Sequence, residues 1–306
     1  MKNIGSVAII GGGALGLMYA QAVKAVLGNS LYFVADGDRY ERFRETAFLI
    51  NGKEERFAVR KPDAIESKPD LVLVAVKNYD LPGILPTLER ICGSETTLVS
   101  VLNGIDSESI LERALPASTV LYCCGLAMDA VKDGRSLTFT SRGKLLLGTK
   151  DNRPHSALDA VAEFCTRCGL AYNIPADIHR ELWWKWMINI GVNQVSAVTG
   201  AAYGVFHKDP DIRALMEAAM REVVLLAQAE GINLRDDDIA KMYPILNGLG
   251  AEGKTSMLQD MENRRKTELE SFSGKLIRMA RARSLPVPVN ETLYRVIAVR
   301  ERLFGR

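Results

Sequence analysis

Val7-Ala8-Ile9-Ile10-Gly11-Gly12-Gly13-Ala14-Leu15-Gly16 runs from four consecutive apolar residues straight into a glycine cluster. A short apolar run without polar alternation is what a strand buried on both faces of a parallel sheet requires. The spacing Gly11-x-Gly13-x-x-Gly16 then fits the turn that binds the pyrophosphate of a dinucleotide. Gly11 permits the tight turn, Gly13 lets the backbone approach the phosphates, and Gly16 lets helix and strand pack closely. Ala14 and Leu15 open the following helix, whose leading N–H groups face an anion. A purely structural turn is the alternative, and the strand before and helix after the glycines weigh against it.

Outward from this stretch the first half alternates. Ala14–Leu27 reads as a helix, Ser30–Ala35 as a second strand and Asp38–Thr46 as a helix. Asn51-Gly52 between apolar stretches signals a two-residue hairpin. Leu71–Val76 and Thr97–Leu102 are further buried strands, each followed by a helix, and a β-rich stretch extends from Val120 to Gly148. A helix near Ser156–Cys168 and a strand near Leu170–Ile174 complete a doubly wound α/β sheet. After Pro175 the pattern turns helical, with long stretches at Ile212–Glu230 and Thr255–Ala282, and Asn290 placed to cap a last helix from Glu291. The expectation is therefore α/β: a Rossmann dinucleotide-binding domain over 1–176 and an all-α domain over 177–306, with a site in the cleft between them.

Bulk properties exclude several functions. A formal net charge of +2, with Lys/Arg interspersed among Asp/Glu, offers no footprint for nucleic acid or an anionic membrane. The run Val7–Ile10 is far too short to span a bilayer, and no signal-peptide layout precedes it, so a cytoplasmic protein is expected. Cys165-Thr-Arg-Cys168 is a lone CxxC; zinc needs four ligands, so reduced thiols and no metal are expected.

Polar residues stand at the ends of the predicted strands. Asp36 ends the second strand, where an acidic group accepts bonds from both ribose hydroxyls of NADH and repels the 2′-phosphate of NADPH. Arg39 and Arg42 follow and offer the opposite preference, and Asp36 also suits a helix cap. Lys77 and Asn103-Gly104 end two further strands at the carboxyl edge, where ligands of this fold bind, although turns also favour Asn-Gly.

The second half holds a denser cluster. In Arg180-Glu-Leu-Trp-Trp-Lys185-Trp-Met-Ile-Asn189-Ile-Gly-Val-Asn193, an α-helix brings Lys185, Asn189 and Asn193 within about 40° of one another per step. A lysine and two amides on an otherwise apolar helix are expensive to bury without partners, and a ligand is one partner. The alternative is a lysine reaching solvent and two asparagines bonded inside the bundle. Ser256 lies near a helix start and suits a cap; Glu268 falls on a helical stripe with Arg264 and suits an ion pair.

Taken together, the glycine loop, Lys77, Asn103-Gly104, the Lys185/Asn189/Asn193 face and Ser256-Met-Leu-Gln-Asp…Thr-Glu268 resemble the ketopantoate reductases (2-dehydropantoate 2-reductases) across nearly the whole chain. The resemblance implies NADPH-dependent reduction of 2-dehydropantoate to pantoate, a step of pantothenate biosynthesis. It implies that Lys185 donates the proton, that Glu268 helps hold the substrate oxygen, and that Asn189, Asn193 and Ser256 bind substrate. Asn103 would lie between cofactor and substrate, and Lys77 near the NADPH.

Two positions depart from the family pattern. NADPH-using members often carry arginine where this chain has Asp36, and some members show asparagine where it has Tyr203. The first points to NADH, the second to a different 2-oxo acid. A related dehydrogenase on the same two-domain plan and a cofactor-sensing protein without turnover are the rival readings; neither needs the aligned lysine and amides. The apolar C-terminal helices favour a homodimer.

Overall fold

The structure, a computed structural model, describes residues 3–304. The chain divides into two compact units, Met1–Leu102 with Asp106–Glu181, and Asn103–Ile105 with Leu182–Arg306. The main division falls inside one helix rather than in a linker.

In the first unit β1 (Val7–Ile10), α1 (Ala14–Leu27), β2 (Leu31–Val34) and α2 (Gly37–Glu45) open the alternation. The hairpin β3 (Phe48–Ile50) and β4 (Lys53–Glu55) precedes β5 (Ala58–Arg60), β6 (Leu71–Val74), α3 (Leu81–Ile91), β7 (Thr97–Ser100) and α4 (Ser107–Ala114). The remainder is β8 (Thr119–Met128), β9 (Val131–Asp133), β10 (Ser136–Thr138), β11 (Arg142–Gly148), α5 (Ser156–Arg167) and β12 (Ala171–Asn173). The main sheet has the order β12-β11-β8-β7-β6-β1-β2-β5, and β3, β4, β9 and β10 form a second, smaller sheet. Pairing is parallel from β5 through β8, and only β11 runs antiparallel to its neighbour β8. Strands β1, β2, β6 and β7 are buried at every position, as their unbroken apolar runs require. The hairpin turn has positive φ at both Asn51 and Gly52, the backbone that a two-residue turn of matching twist demands.

The second unit is helical: α6 (Ile178–Ile188, beginning in the first unit), a π-helical turn over Asn189–Asn193, α7 (Gln194–Thr199), α8 (Tyr203–Phe206) and α9 (Pro210–Ala229). It continues with α10 (Asp237–Ala240), α11 (Tyr243–Asn247), α12 (Ser256–Glu262), α13 (Ser273–Ala282) and α14 (Pro288–Arg302). Among the described residues no helix is long and apolar enough to cross a membrane.

Three local expectations are corrected. The stretch Thr255–Ala282 is not one helix: α12 ends at Glu262 and Arg264 takes a left-handed φ of 50°. Asn290 does not cap the last helix, which starts at Pro288; it lies inside the first turn with its side chain fully buried. The Lys185–Asn193 segment is α-helical only to Ile188.

Candidate active site

In the first unit the three spaced glycines are held to glycine for different reasons. Gly11 has φ +112° and a Cβ there would fall 2.4 Å from the Ala75 carbonyl oxygen. A Cβ on Gly16 would fall 2.0 Å from the Gly11 oxygen, so these two fix how α1 leaves β1. Gly13 is exposed, and the nearest atom to its Cβ would be the Ala75 oxygen at 3.8 Å. It is the N-cap of α1, in extended conformation, with no acidic residue in the turn that follows. A bare N-cap with open space above it, at the start of a long helix, fits a bound pyrophosphate. Sequence reasoning gave no reason for Gly12; a Cβ there would meet the Phe43 ring at 2.3 Å.

Asp36 caps α2, its Oδ1 accepting from the Gly37 N–H at 2.8 Å. It is nonetheless exposed at the carboxyl end of β2, as is Arg39 beyond it. Sheet pairing adds two cations that no local spacing reveals. Val34 of β2 pairs with Arg60 of β5, whose guanidinium lies over the Tyr32 ring at 4.0 Å; Lys61 lies over Tyr40 at 4.8 Å. Lys77 is half-buried beyond the carboxyl end of β6, capping the short turn Asn78–Asp80. Burial pushes the Cys165 thiol up to about 12 and that of Cys168 up to about 11, so both stay protonated at neutral pH.

In the second unit a chain of three side chains joins distant parts of the sequence. Asn103 Nδ2 donates to Glu268 Oε2 at 3.2 Å, and Asn189 Nδ2 donates to Asn103 Oδ1 at 3.3 Å. Glu268 is 5% exposed and Asn189 2%, whereas Asn103 is half-buried. Lys185 stands one turn before Asn189, half-buried at the end of α6. The tryptophans around it pack and anchor: Trp184 Nε1 donates to the Asp238 carbonyl and Trp186 Nε1 to the Ser271 carbonyl, both at 2.9 Å. The second bond ties α6 to the segment just past Glu268. The predicted ion pair of Glu268 with Arg264 has no shared helix to stand on; Arg265 pairs with Asp260 at 3.2 Å instead.

The π-turn has two visible causes. A Cβ on Gly191 would lie 2.5 Å from the Met220 Cε and 3.1 Å from the Met216 oxygen, so the turn presses directly on α9. Within it, the Ile190 carbonyl accepts from Gln194 Nε2 at 2.9 Å. Gln194 also donates to Asn290 Oδ1 at 3.2 Å, and Asn290 Nδ2 donates to Glu222 Oε2 at 2.8 Å. Glu222 in turn accepts from the main-chain N–H groups of Val289 and Asn290 at the start of α14. Single π-turns in α-helices are frequent at functional sites, where they re-aim side chains.

Ser256 is exposed and does not cap α12; the cap is Thr255, whose Oγ1 accepts from the Leu258 N–H at 3.1 Å. Asn193 is half-buried at the end of the π-turn. Neither is bonded to the Asn103–Glu268–Asn189 chain among the described residues. Tyr203 is wedged against Gly253, where a Cβ would meet its ring at 2.9 Å, and burial pushes its phenol up to about 12.

Residues 7–152 match the family described as ketopantoate reductase PanE/ApbA, and residues 177–301 match its C-terminal counterpart. The chain is 26% identical over 247 residues to the 2-dehydropantoate 2-reductase of Halobacterium salinarum, covering 81% of each. Its fold superposes on a PanE/ApbA family ketopantoate reductase from Ralstonia eutropha with a TM-score of 0.84 at 23% identity, covering 98% of this chain and 100% of that one. A D-mandelate dehydrogenase in a ternary complex with NADH and anilino(oxo)acetate superposes with a TM-score of 0.87 at 20% identity, with the same coverage. At these identities the two solved structures speak for the fold alone.

Proposed function

Because the chain belongs to the ketopantoate reductase family, we propose that it reduces the C2 carbonyl of a small 2-oxo acid, 2-dehydropantoate first among them, to the corresponding alcohol. The observation that carries this reading is the hydrogen-bonded chain Asn189–Asn103–Glu268, with Lys185 one helical turn away. A buried carboxylate beside amides and an ammonium suits a reaction in which charge grows on one oxygen and a proton must follow.

A reduced nicotinamide dinucleotide, bound over Gly11, Gly13, Ala14, Leu15 and Gly16, would supply the hydride. Lys185, as ammonium, stabilises the developing alkoxide and gives it a proton. Glu268 orients Lys185 and the substrate oxygen, and Asn103 fixes the Glu268 carboxylate by donating to it. Asn189, Asn193 and Ser256 bind the rest of the substrate, and the exposure of Ser256, freed of a capping role, supports its part.

Lys77, Asp36 and Arg39 complete the cofactor site. The exposed Asp36 carboxylate favours the free 2′-hydroxyl of NADH, while Arg39 with Arg60 and Lys61 supports the 2′-phosphate of NADPH, which the family prefers. Steady-state reduction of 2-dehydropantoate with NADH and NADPH side by side tests substrate and cofactor together. Oxidation of one of them upon adding 2-dehydropantoate is expected; no turnover with any 2-oxo acid in a panel sinks the assignment.

A second reading, reduction of another 2-oxo acid, is favoured by one observation. Tyr203 puts a half-buried ring against Gly253, three positions before Ser256. Faster turnover of a different acid in the same panel would establish it.

A further inference from the structure

We infer that Glu301, near the end of α14, is a positioning residue for Glu268. The inference rests on the reading of Glu268 as part of the catalytic site. Glu301 Oε1 accepts from the Thr267 main-chain N–H at 2.8 Å and from the Thr267 hydroxyl at 2.5 Å. The Thr267 hydroxyl oxygen accepts in turn from the Leu269 N–H at 3.2 Å. Glu268 is therefore bracketed: the residue before it is clamped twice by one carboxylate oxygen, and the residue after it is tied to the same clamp.

Upstream of Glu268 the segment has no regular structure, whereas Glu268 itself opens a short 3-10 turn over Leu269–Ser271. Between α12 and α13 the backbone turns through the left-handed Arg264 and continues irregularly to Thr267. On its far side the Glu268 carbonyl accepts from Ser271 and Phe272; on the near side the Thr267 main-chain N–H is met by Glu301 from 34 positions away. Helix stability does not explain a carboxylate there. An acidic group in the last turn of a helix opposes the macrodipole, which favours the flanking Arg300 and Arg302 instead.

Geometry also links this clamp to the other half of the site. Glu301 follows Asn290 by eleven positions, about three helical turns, so both lie on the buried stripe with Leu293 and Ile297. One face of α14 thus supports the π-turn through Asn290 and the Glu268 turn through Glu301.

The test is a mutant cycle in the full chain, read by steady-state kinetics with the 2-oxo acid and cofactor established above, and by cofactor titration of each variant. Glu301→Ala is expected to lower kcat by about ten- to a hundred-fold with cofactor affinity unchanged, the cost of a misplaced catalytic group. Glu301→Gln keeps an acceptor oxygen and should recover most of that loss; Thr267→Val should lose several-fold and Thr267→Ser recover it. Glu301→Ala combined with Glu268→Gln should be no slower than Glu268→Gln alone, since Glu301 acts through Glu268. Multiplying effects in the double variant, or unchanged kcat in Glu301→Ala, overturns the inference. If Glu301→Ala does not fold, Thr267→Val carries the same cycle. Full activity of Glu268→Gln would instead refute the reading of Glu268 and take the inference with it.

Discussion

Asn103 and Glu268 are 165 positions apart, and the amide of the first donates to the carboxylate of the second at 3.2 Å. Asn103 follows a strand of the α/β unit, yet with Gly104 and Ile105 it groups with the helical unit. Its side-chain amide carries a donor and an acceptor on one planar group and uses both: Nδ2 donates to Glu268, and Oδ1 accepts from Asn189.

Replacing Asn103 separates these roles. Asn103→Ala removes the donor and should lower kcat/KM about ten-fold or more. Asn103→Asp keeps the acceptor for Asn189 but sets a second carboxylate against Glu268, and should cost about a further ten-fold at neutral pH. Steady-state kinetics of the two variants checks the order; an aspartate variant as active as wild type would refute it.

Lys185→Ala should lower kcat by about a thousand-fold, the scale of losing a general acid together with a charge next to the reacting oxygen. Cofactor affinity, measured by quenching of protein or nicotinamide fluorescence, should survive. Near-normal turnover would remove Lys185 from the mechanism.

The glycines of the loop should fail in different ways. Gly16→Ala places a Cβ 2.0 Å from a main-chain oxygen, so the thermal midpoint should drop by several degrees. Gly13→Ala meets nothing nearer than 3.8 Å and should fold normally, while weakening cofactor binding about ten-fold or more by roofing the helix N-terminus. Equal loss of stability in both would contradict this division.

Glu108 sets a pH dependence of stability. It is 1% exposed in α4, its Oε2 accepting from Ser107 Oγ at 2.9 Å, and burial pushes its carboxyl up from 4.5 to about 7. Asp106 adds to the rise, while hydrogen bonds from Ser107 and the backbone oppose it. Between pH 4.5 and about 7 the folded chain holds a proton that the unfolded chain has lost, so stability must fall as pH rises through that window. The full loss from this one group is about 3 kcal/mol. Urea unfolding at pH 5 and pH 8 should show it, and Glu108→Gln should abolish that part of the slope; an unchanged slope would refute the assignment.

The α/β half was legible because its signals are local. Four-residue apolar runs, the glycine spacing and Asn51-Gly52 each specify their own backbone. In the helical half the candidate residues stand out by type and spacing, but their geometry does not. Lys185, Asn189 and Asn193 keep a four-residue spacing in sequence, yet Gly191 against α9 winds the last five residues into a π-turn that no periodicity announces. Helical patterning continues past Glu262 with neither glycine nor proline to mark the break; the turn at Arg264 closes locally, the Arg265 N–H donating to the Asp260 carbonyl at 2.8 Å, through a left-handed residue that is not glycine. Asn290 looked like a cap since asparagine favours that place; its buried amide instead bonds Gln194, Glu222 and the Ala219 carbonyl. Arg60 reaches the end of β2 only through strand pairing, which single-sequence spacing does not encode.

The common face of Asn290 and Glu301 makes α14 a ruler. Adding or deleting one residue between them would swing the second by about 100° around the axis and disconnect it from Thr267, whatever the identity of that residue. The opposite side of the helix carries exposed Val296 and Val299, where substitutions disturb neither end. Over these eleven positions the helix should accept changes of letter on its outer side but no change of length.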